Sequence, residues 1–265
     1  MSEVIVITSG KGGVGKTTTA ANLGSALSLE KKKVVIVDAD IGLRNLDCVM
    51  GLENRIVYDI VDVVEGTCRL KQALIKDKRF ENLYLLPAAQ TKDKNAITED
   101  QMRTLCDNLR ESFDYILMDC PAGIEQGFKN AIAGADRAIV VTNPEVSAVR
   151  DADRIIGLLE ANEMEDIRLV INRIRQDMVK RGDMMNREDI EQLLAIKLIG
   201  LVPDDESIIV STNKGEPAVL DEKSSAGKSY REIAKRVLGE EIEIHDFEEE
   251  VSIFDKFKKI FTKAK

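Results

Sequence analysis

A run of glycines sits between an apolar strand pattern and a helical pattern, and few folds accept that combination. Residues 4–8 are β-branched and nearly continuous in hydrophobicity, as in strands buried on both faces. Gly10-Lys11-Gly12-Gly13-Val14-Gly15-Lys16-Thr17-Thr18 follows at once, and residues 16–30 read as a helix. This segment fits G-x-x-x-x-G-K-[ST] in the strand–helix setting the pattern requires. Glycines let backbone N–H groups curl around a phosphate where side chains would block the approach. The helix start adds its positive end. Lys16 is placed to reach the β- and γ-phosphates, the Thr17 hydroxyl to bind Mg²⁺, and Thr18 to meet the α-phosphate. The expected cofactors are ATP and Mg²⁺, and the expected reaction is ATP hydrolysis.

The same alternation continues along the chain. Short apolar runs at 4–8, 34–38, 83–87, 115–119, 138–142, 169–172 and 198–202 predict strands. Helical patterns at 16–30, 98–111, 147–161, 186–194 and 224–238 lie between them. This order predicts an α/β P-loop NTPase: a mainly parallel central sheet with helices on both faces. Ligands in such sheets bind beyond the carboxyl ends of the strands. Gly10, Asp38 and Asp119 each follow such an end, which argues for one site. Asp119 is where an acid reaching Mg²⁺ through water is expected. Asp38 and Asp40 flank one residue, so in extended chain they point alike.

Composition narrows the function. Aromatics are only 4% and Trp is absent, so the core must be built from Ile, Leu, Val and Ala. The net charge of −9 weighs against broad nucleic-acid binding, and no specific nucleic acid is expected. Cys48, Cys68, Cys106 and Cys120 contain no C-x-x-C pair, which argues against zinc, an iron–sulfur cluster held within one chain or a disulfide scaffold. The lone His245 sits in an acidic stretch and is assigned no role. No basic n-region or cleavage pattern precedes the glycine loop, and no apolar run nears the roughly 20 residues that span a bilayer. A cytoplasmic location is expected.

The nonapeptide at 10–18, with its early lysine, resembles the deviant Walker A motif of the MinD/ParA ATPases. Further segments share the likeness: Asp38 to Asp47 (with Asp40, Arg44 and Asn45), Asp119 to Glu125, Thr142 to Ser147, and Arg150 to Arg154. The resemblance covers essentially the whole chain and is strongest to the cell-division branch. It implies that Lys11, which read alone is a surface lysine, crosses to the nucleotide of a second copy in an ATP-bound homodimer. It implies that Asp38 supports the Mg²⁺ shell, as Asp119 does, and that Asp40 orients the attacking water. Gly123 lets a backbone N–H approach the γ-phosphate. Arg44, Asn45 and Asp47 belong to a switch segment of the kind a γ-phosphate orders. Asn172 is able to present an amide to the base. Pro203 and Asp204 resemble a second adenine contact; without the likeness they read as an ordinary turn. Ile124, Glu125, Asp151 and Asp153 match a partner-contact region. The implied partners are MinC, an inhibitor of FtsZ assembly, and MinE or another positioning factor. The alternatives are a flagellar-number regulator of the FlhG type and a ParA-type segregation ATPase.

The C-terminal end differs in composition. We divide the chain into an ATPase domain (1–239), an acidic linker (240–250) and an amphipathic helix (251–265). At 100° per residue Ile253, Phe254, Phe257, Ile260 and Phe261 fall within an arc of about 120°. Lys256, Lys259 and Lys263 lie opposite, and Lys258 and Lys265 flank the apolar edge. A basic amphipathic helix with aromatic anchors suits an anionic membrane surface. The competing reading is a terminal helix docked on the core. The family likeness includes a membrane-targeting tail, which implies a peripheral place on the inner face of the cell membrane.

Overall fold

The structure, a computed structural model, describes residues 2–93 and 96–246. Eight strands form one sheet: β1 Glu3–Thr8, β2 Val34–Asp38, β3 Ile75–Lys76, β4 Leu83–Leu86, β5 Tyr115–Asp119, β6 Arg137–Thr142, β7 Ile167–Ile174 and β8 Lys197–Pro203. Their spatial order is β3-β4-β2-β5-β1-β6-β7-β8. All neighbours pair in parallel except the two-residue edge strand β3, which is antiparallel to β4. The helices are α1 Lys16–Leu29, α2 Leu46–Val49, α3 Ile60–Val64, α4 Leu70–Ala73, α5 Glu99–Arg110, α6 Gln126–Ile132, α7 Val146–Ala161, α8 Gln176–Arg181, α9 Arg187–Leu194, α10 Glu206–Asn213 and α11 Ser225–Val237.

The predicted strands and helices are all present, shifted by a residue or two at their ends. The elements not predicted are β3, α2, α3, α4, α6, α8 and α10; all but α10, which is as long as α9 but fully buries no residue, span too few residues to show a period. The alternation within each strand sorts side chains between two layers. Val4, Val6, Val35 and Val37 join a core with residues of α5, α6, α7 and α9. Ile5, Ile7, Val34 and Ile36 join the other with α1 and α11. Because both faces are covered, every residue of β2 is buried, and the strand reads as one hydrophobic run.

Local chemistry fixes the helix starts. Thr98 caps α5 by accepting from Gln101 N–H, and the Gln101 side chain returns to Thr98 N–H. Met102, Leu105, Cys106 and Leu109 then recur on one buried face. Asp205 caps α10 through Ser207 N–H and also accepts from Ala226 N–H at the start of α11. One carboxylate therefore holds two helix starts together; burial acts to raise it, but the hydrogen bonds from Ala226, Ser207 and Ser224 outweigh that and hold it below the usual carboxylate range. By contrast, α10 has no buried residue of its own.

Beyond α11 the chain bends back at Gly239, with φ +92°. Arg236 donates to the carbonyls of Ile242 (2.8 Å) and Glu243 (2.8 Å), and Arg187 to that of Ile244 (2.9 Å). The first residues of the expected linker thus lie against the ATPase body, because arginines satisfy their backbone carbonyls. The membrane-helix residues Ile253, Phe254, Phe257, Ile260 and Phe261 lie outside the described residues. Among the described residues no helix is long and apolar enough to cross a membrane.

One tight spot is testable. Gly200 of β8 lies under α11, and a Cβ there would overlap Ile233 Cγ1 and sit 2.5 Å from its Cδ1. Gly200→Ala is expected to lower stability by about 1–3 kcal/mol, the usual result of overpacking a core. Urea denaturation measures it.

Candidate functional site

The glycine loop lies between β1 and α1, at the carboxyl end of the sheet. Gly13 and Gly15 have φ of +80° and +100°, values that an L side chain rarely adopts. Two glycines are also needed for close approach: a Cβ on Gly10 would overlap the Asp151 carbonyl, and one on Gly15 the Asn172 amide. The loop is therefore held from outside by β7 and α7. No acidic residue occupies the first turn of α1, so its positive end is not neutralised there. Lys16 is buried and donates to Ser9 Oγ at 2.9 Å, while Ser9 Oγ donates to the Lys11 carbonyl at 2.8 Å.

Beside the loop stand two acids. Asp38 ends β2 and Asp119 ends β5, and the two are direct partners in the parallel register. Both are essentially inaccessible to solvent. Asp38 accepts from the N–H groups of Asp40 (3.0 Å) and Leu46 (3.3 Å). Thr17 hydrogen bonds to Asp119, yet Asp119 Oδ1 has no partner. Burial pushes both carboxyls well above their usual range. The Asp38 charge raises Asp119 further, and the Thr17 hydrogen bond and Lys16 offset only part of this.

These observations fit a magnesium ion. The nearby donors are all oxygen, the preference of a hard cation, and a buried acid oxygen lacks a partner. Among the described residues no group of three or more His, Cys, Asp or Glu side chains surrounds one point. A cation here must then complete its shell with phosphate and water, as Mg²⁺ commonly does.

On the other side of the loop a cavity of about 600 Å³ is lined by Gly15, Thr18, Asn172, Pro203, Asp204 and Ile208, among others. Three residues expected at the base thus line one cavity. Asn172 Nδ2, however, donates to the Val14 carbonyl at 2.7 Å, so in this structure its amide is turned toward the loop. Tyr230, also on the cavity wall, is buried with its hydroxyl 3.2 Å from Thr19 Oγ1.

The remaining expected residues lie on the same end of the sheet. Lys11 is 44% exposed and reaches Glu145 Oε2 and Ser147 Oγ, each at 3.4 Å. Asp40 is half-buried, two residues beyond Asp38. Gly123 has φ +94° with open space where a Cβ would be. Ile124 is exposed, Glu125 precedes α6, Asp151 packs its backbone on Gly10, and Asp153 is exposed further along α7. Glu145 was not singled out as a contact of Lys11. It lies three residues beyond β6, and its pairing with Lys11 across 134 residues leaves no local signal.

A parallel sheet, a glycine loop opening a helix and paired acids at adjacent strand ends define a P-loop ATPase. Residues 2–173 match a family model described as an AAA domain. The chain is 60% identical over 252 residues to the septum site-determining protein MinD of Bacillus subtilis, covering 94% of each. A solved MinC:MinD cell division complex from Aquifex aeolicus is similar with TM-score 0.88 and 50% identity, over 93% of this chain and all of that one. MinD of Pyrococcus horikoshii, solved with Mg-ADP, matches with TM-score 0.81 and 31% identity, over 89% and 96% of the two chains. The chain belongs to the MinD family of septum site-determining ATPases, within the MinD/ParA group.

The acid pair makes a prediction for the nucleotide-free protein. Carboxyls raised above their unfolded value stabilise the fold in acid, and this contribution is lost as pH rises through the folded values. Without Mg²⁺ and nucleotide, thermal stability should fall from weakly acid to weakly alkaline pH. Asp119→Asn should flatten that slope and raise the melting temperature at alkaline pH while removing ATP hydrolysis. An unchanged slope by calorimetry contradicts the assignment.

Proposed function

We propose that this chain is a nucleotide-gated membrane ATPase. It dimerises with ATP, recruits MinC to the membrane and so blocks FtsZ assembly near the poles, which places the septum. The observation that carries the reading is the shared position of Lys16, Thr17, Asp38 and Asp119, with Lys11 at the rim. The MinC role rests on kinship with the Aquifex complex and with septum site-determining relatives. That kinship disfavours the flagellar and DNA-segregation readings.

The chemistry follows from the residues. Backbone N–H groups of residues 10–18 bind phosphate oxygens, and Lys16 supplies a desolvated positive charge. Mg²⁺, when bound, would supply positive charge against the charge that develops on the phosphates. The Thr17 hydroxyl would hold the ion, and Asp38 and Asp119 would support its water shell. Asp40 orients the attacking water, and Gly123 leaves its N–H free to approach the γ-phosphate. Asn172, Pro203 and Asp204 bound the base.

Dimerisation uses the same end of the molecule. Leu43, Ile124 and Val146 are exposed by 60%, 51% and 67%, and they follow β2, β5 and β6 respectively. Apolar residues ringing a phosphate site suit contact with a second copy, whose Lys11 brings a cation to the shared charge. In the single chain Lys11 rests on Glu145 and is partly exposed, so that weak contact is readily exchanged. Ile124, Glu125, Asp151 and Asp153 form the surface offered to MinC and to MinE or another positioning factor.

The tail, 251–265, is the membrane element. A helix of about 15 residues is marginal in water, and one tail binds weakly. Two tails on one dimer gain effective concentration, so ATP controls membrane residence.

Two outcomes test this. Asp40→Ala should slow hydrolysis by at least about 100-fold while ATP still binds; normal turnover sinks the water-orienting role. Sedimentation with anionic liposomes should retain the ATP form strongly and the ADP form weakly, and removal of 251–265 should abolish both. Equal retention of the ATP and ADP forms contradicts the gating.

A further inference from the structure

The β3–β4 edge carries an arginine that bonds two segments leading to the nucleotide site, although it lies outside the site itself. Asp77, just after β3, is 1% exposed. Arg79 grips it with two bonds, Nε to Oδ1 at 3.0 Å and Nη2 to Oδ2 at 2.6 Å, which fixes the guanidinium plane. The remaining N–H groups point at two backbone carbonyls. Nη1 donates to Gly215 at 2.5 Å and Nη2 to Met50 at 2.5 Å.

Those carbonyls belong to two segments that lead back to the site. Gly215 follows α10, whose Ile208 and Ile209 line the base cavity. Met50 ends α2, and α2 begins at Leu46, whose N–H binds the Asp38 carboxylate. The two segments also touch directly. A Cβ on Gly51 would lie 2.7 Å from the Gly215 carbonyl oxygen, and one on Gly215 would lie 2.5 Å from Gly51 Cα. Both glycines have positive φ, +61° and +65°. No residue of α10 is fully buried, although Ile208 packs against the core, and this clasp and the Asp205 cap hold its two ends.

We infer that Arg79 is a positioning residue that fixes the segment holding Asp38 and couples it to the wall of the base cavity. The inference rests on the reading of Asp38 as a support of the Mg²⁺ shell. Loss of the clasp frees α2, the Leu46 N–H no longer fixes Asp38, and magnesium affinity falls. Asp38 acts through the ion's water shell, and loss of such a partner commonly costs about 10–100-fold in metal affinity, which bounds the effect of releasing the turn that orients it. Lysine cannot replace the fork, because an ammonium does not hold Asp77 and two carbonyls in one plane.

The test is calorimetric titration of Mg²⁺ into the ADP-bound full chain, with ADP affinity measured separately in chelator. Arg79→Ala should weaken Mg²⁺ binding by about tenfold or more. Arg79→Lys should give an intermediate loss, and both should leave ADP affinity without metal within about twofold. Amide exchange at Leu46 and Met50 should quicken in both. Unchanged Mg²⁺ affinity in a folded Arg79→Lys protein overturns the inference. So does an equal loss of metal-free ADP affinity, which would mark Arg79 as a general brace. Should Asp38→Asn leave Mg²⁺ affinity intact, the underlying reading of Asp38 fails instead.

Discussion

Two carboxylates held abreast in a dry place govern this molecule. Parallel pairing puts Asp38 beside Asp119 at the ends of adjacent strands, and the layers above and below keep water away. Such a pair is unfavourable alone, because burial and mutual repulsion both oppose its charge. It persists because the sheet over-determines the backbone on either side. The missing attraction is supplied from outside, by a cation that arrives with the nucleotide. Nucleotide affinity and the instability of the empty site are therefore one property of the fold.

Everything nearby serves that deficit. The loop presents amides to phosphate because Gly13 and Gly15 adopt left-handed backbone, and because Gly10 and Gly15 admit α7 and β7 at close range. Lys16 lies near enough to Asp119 for its charge to be felt there, and Asp38 is oriented by the first turn of α2. The hold on that turn passes through Met50 and Gly215 to the far side of the cavity. A site of this kind responds to its ligand as a whole, because its walls share hydrogen bonds.

What the sequence disclosed followed from local rules. The buried strands showed as unbroken apolar runs, α5 through its period and cap, and Lys16, Asp38 and Asp119 through their places in the motif and at strand ends. What stayed hidden depends on pairing across the chain. Lys11 meets Glu145 across a separation of 134 residues. Arg79 reaches Gly215 across 136, and it binds carbonyls, which every residue carries. The docking of residues 242–244 is hidden for the same reason. Asn172 was expected near the base and lines the cavity, but its rotamer was not foreseen: the amide bonds Val14 and packs over Gly15. α10 escaped notice because it fully buries no residue and so shows no clear apolar stripe.

The account joins chemistry to location through one step, the meeting of two copies over triphosphate charge. Exposed apolar residues around the loop and a lysine resting lightly on Glu145 prepare that face for a second copy. Sedimentation equilibrium of the purified chain with Mg²⁺ and a non-hydrolysable ATP analogue, against Mg²⁺ and ADP, measures the step itself. The account predicts twice the single-chain mass with the analogue and the single-chain mass with ADP. A single-chain mass under both conditions, at concentrations that saturate the site, contradicts it.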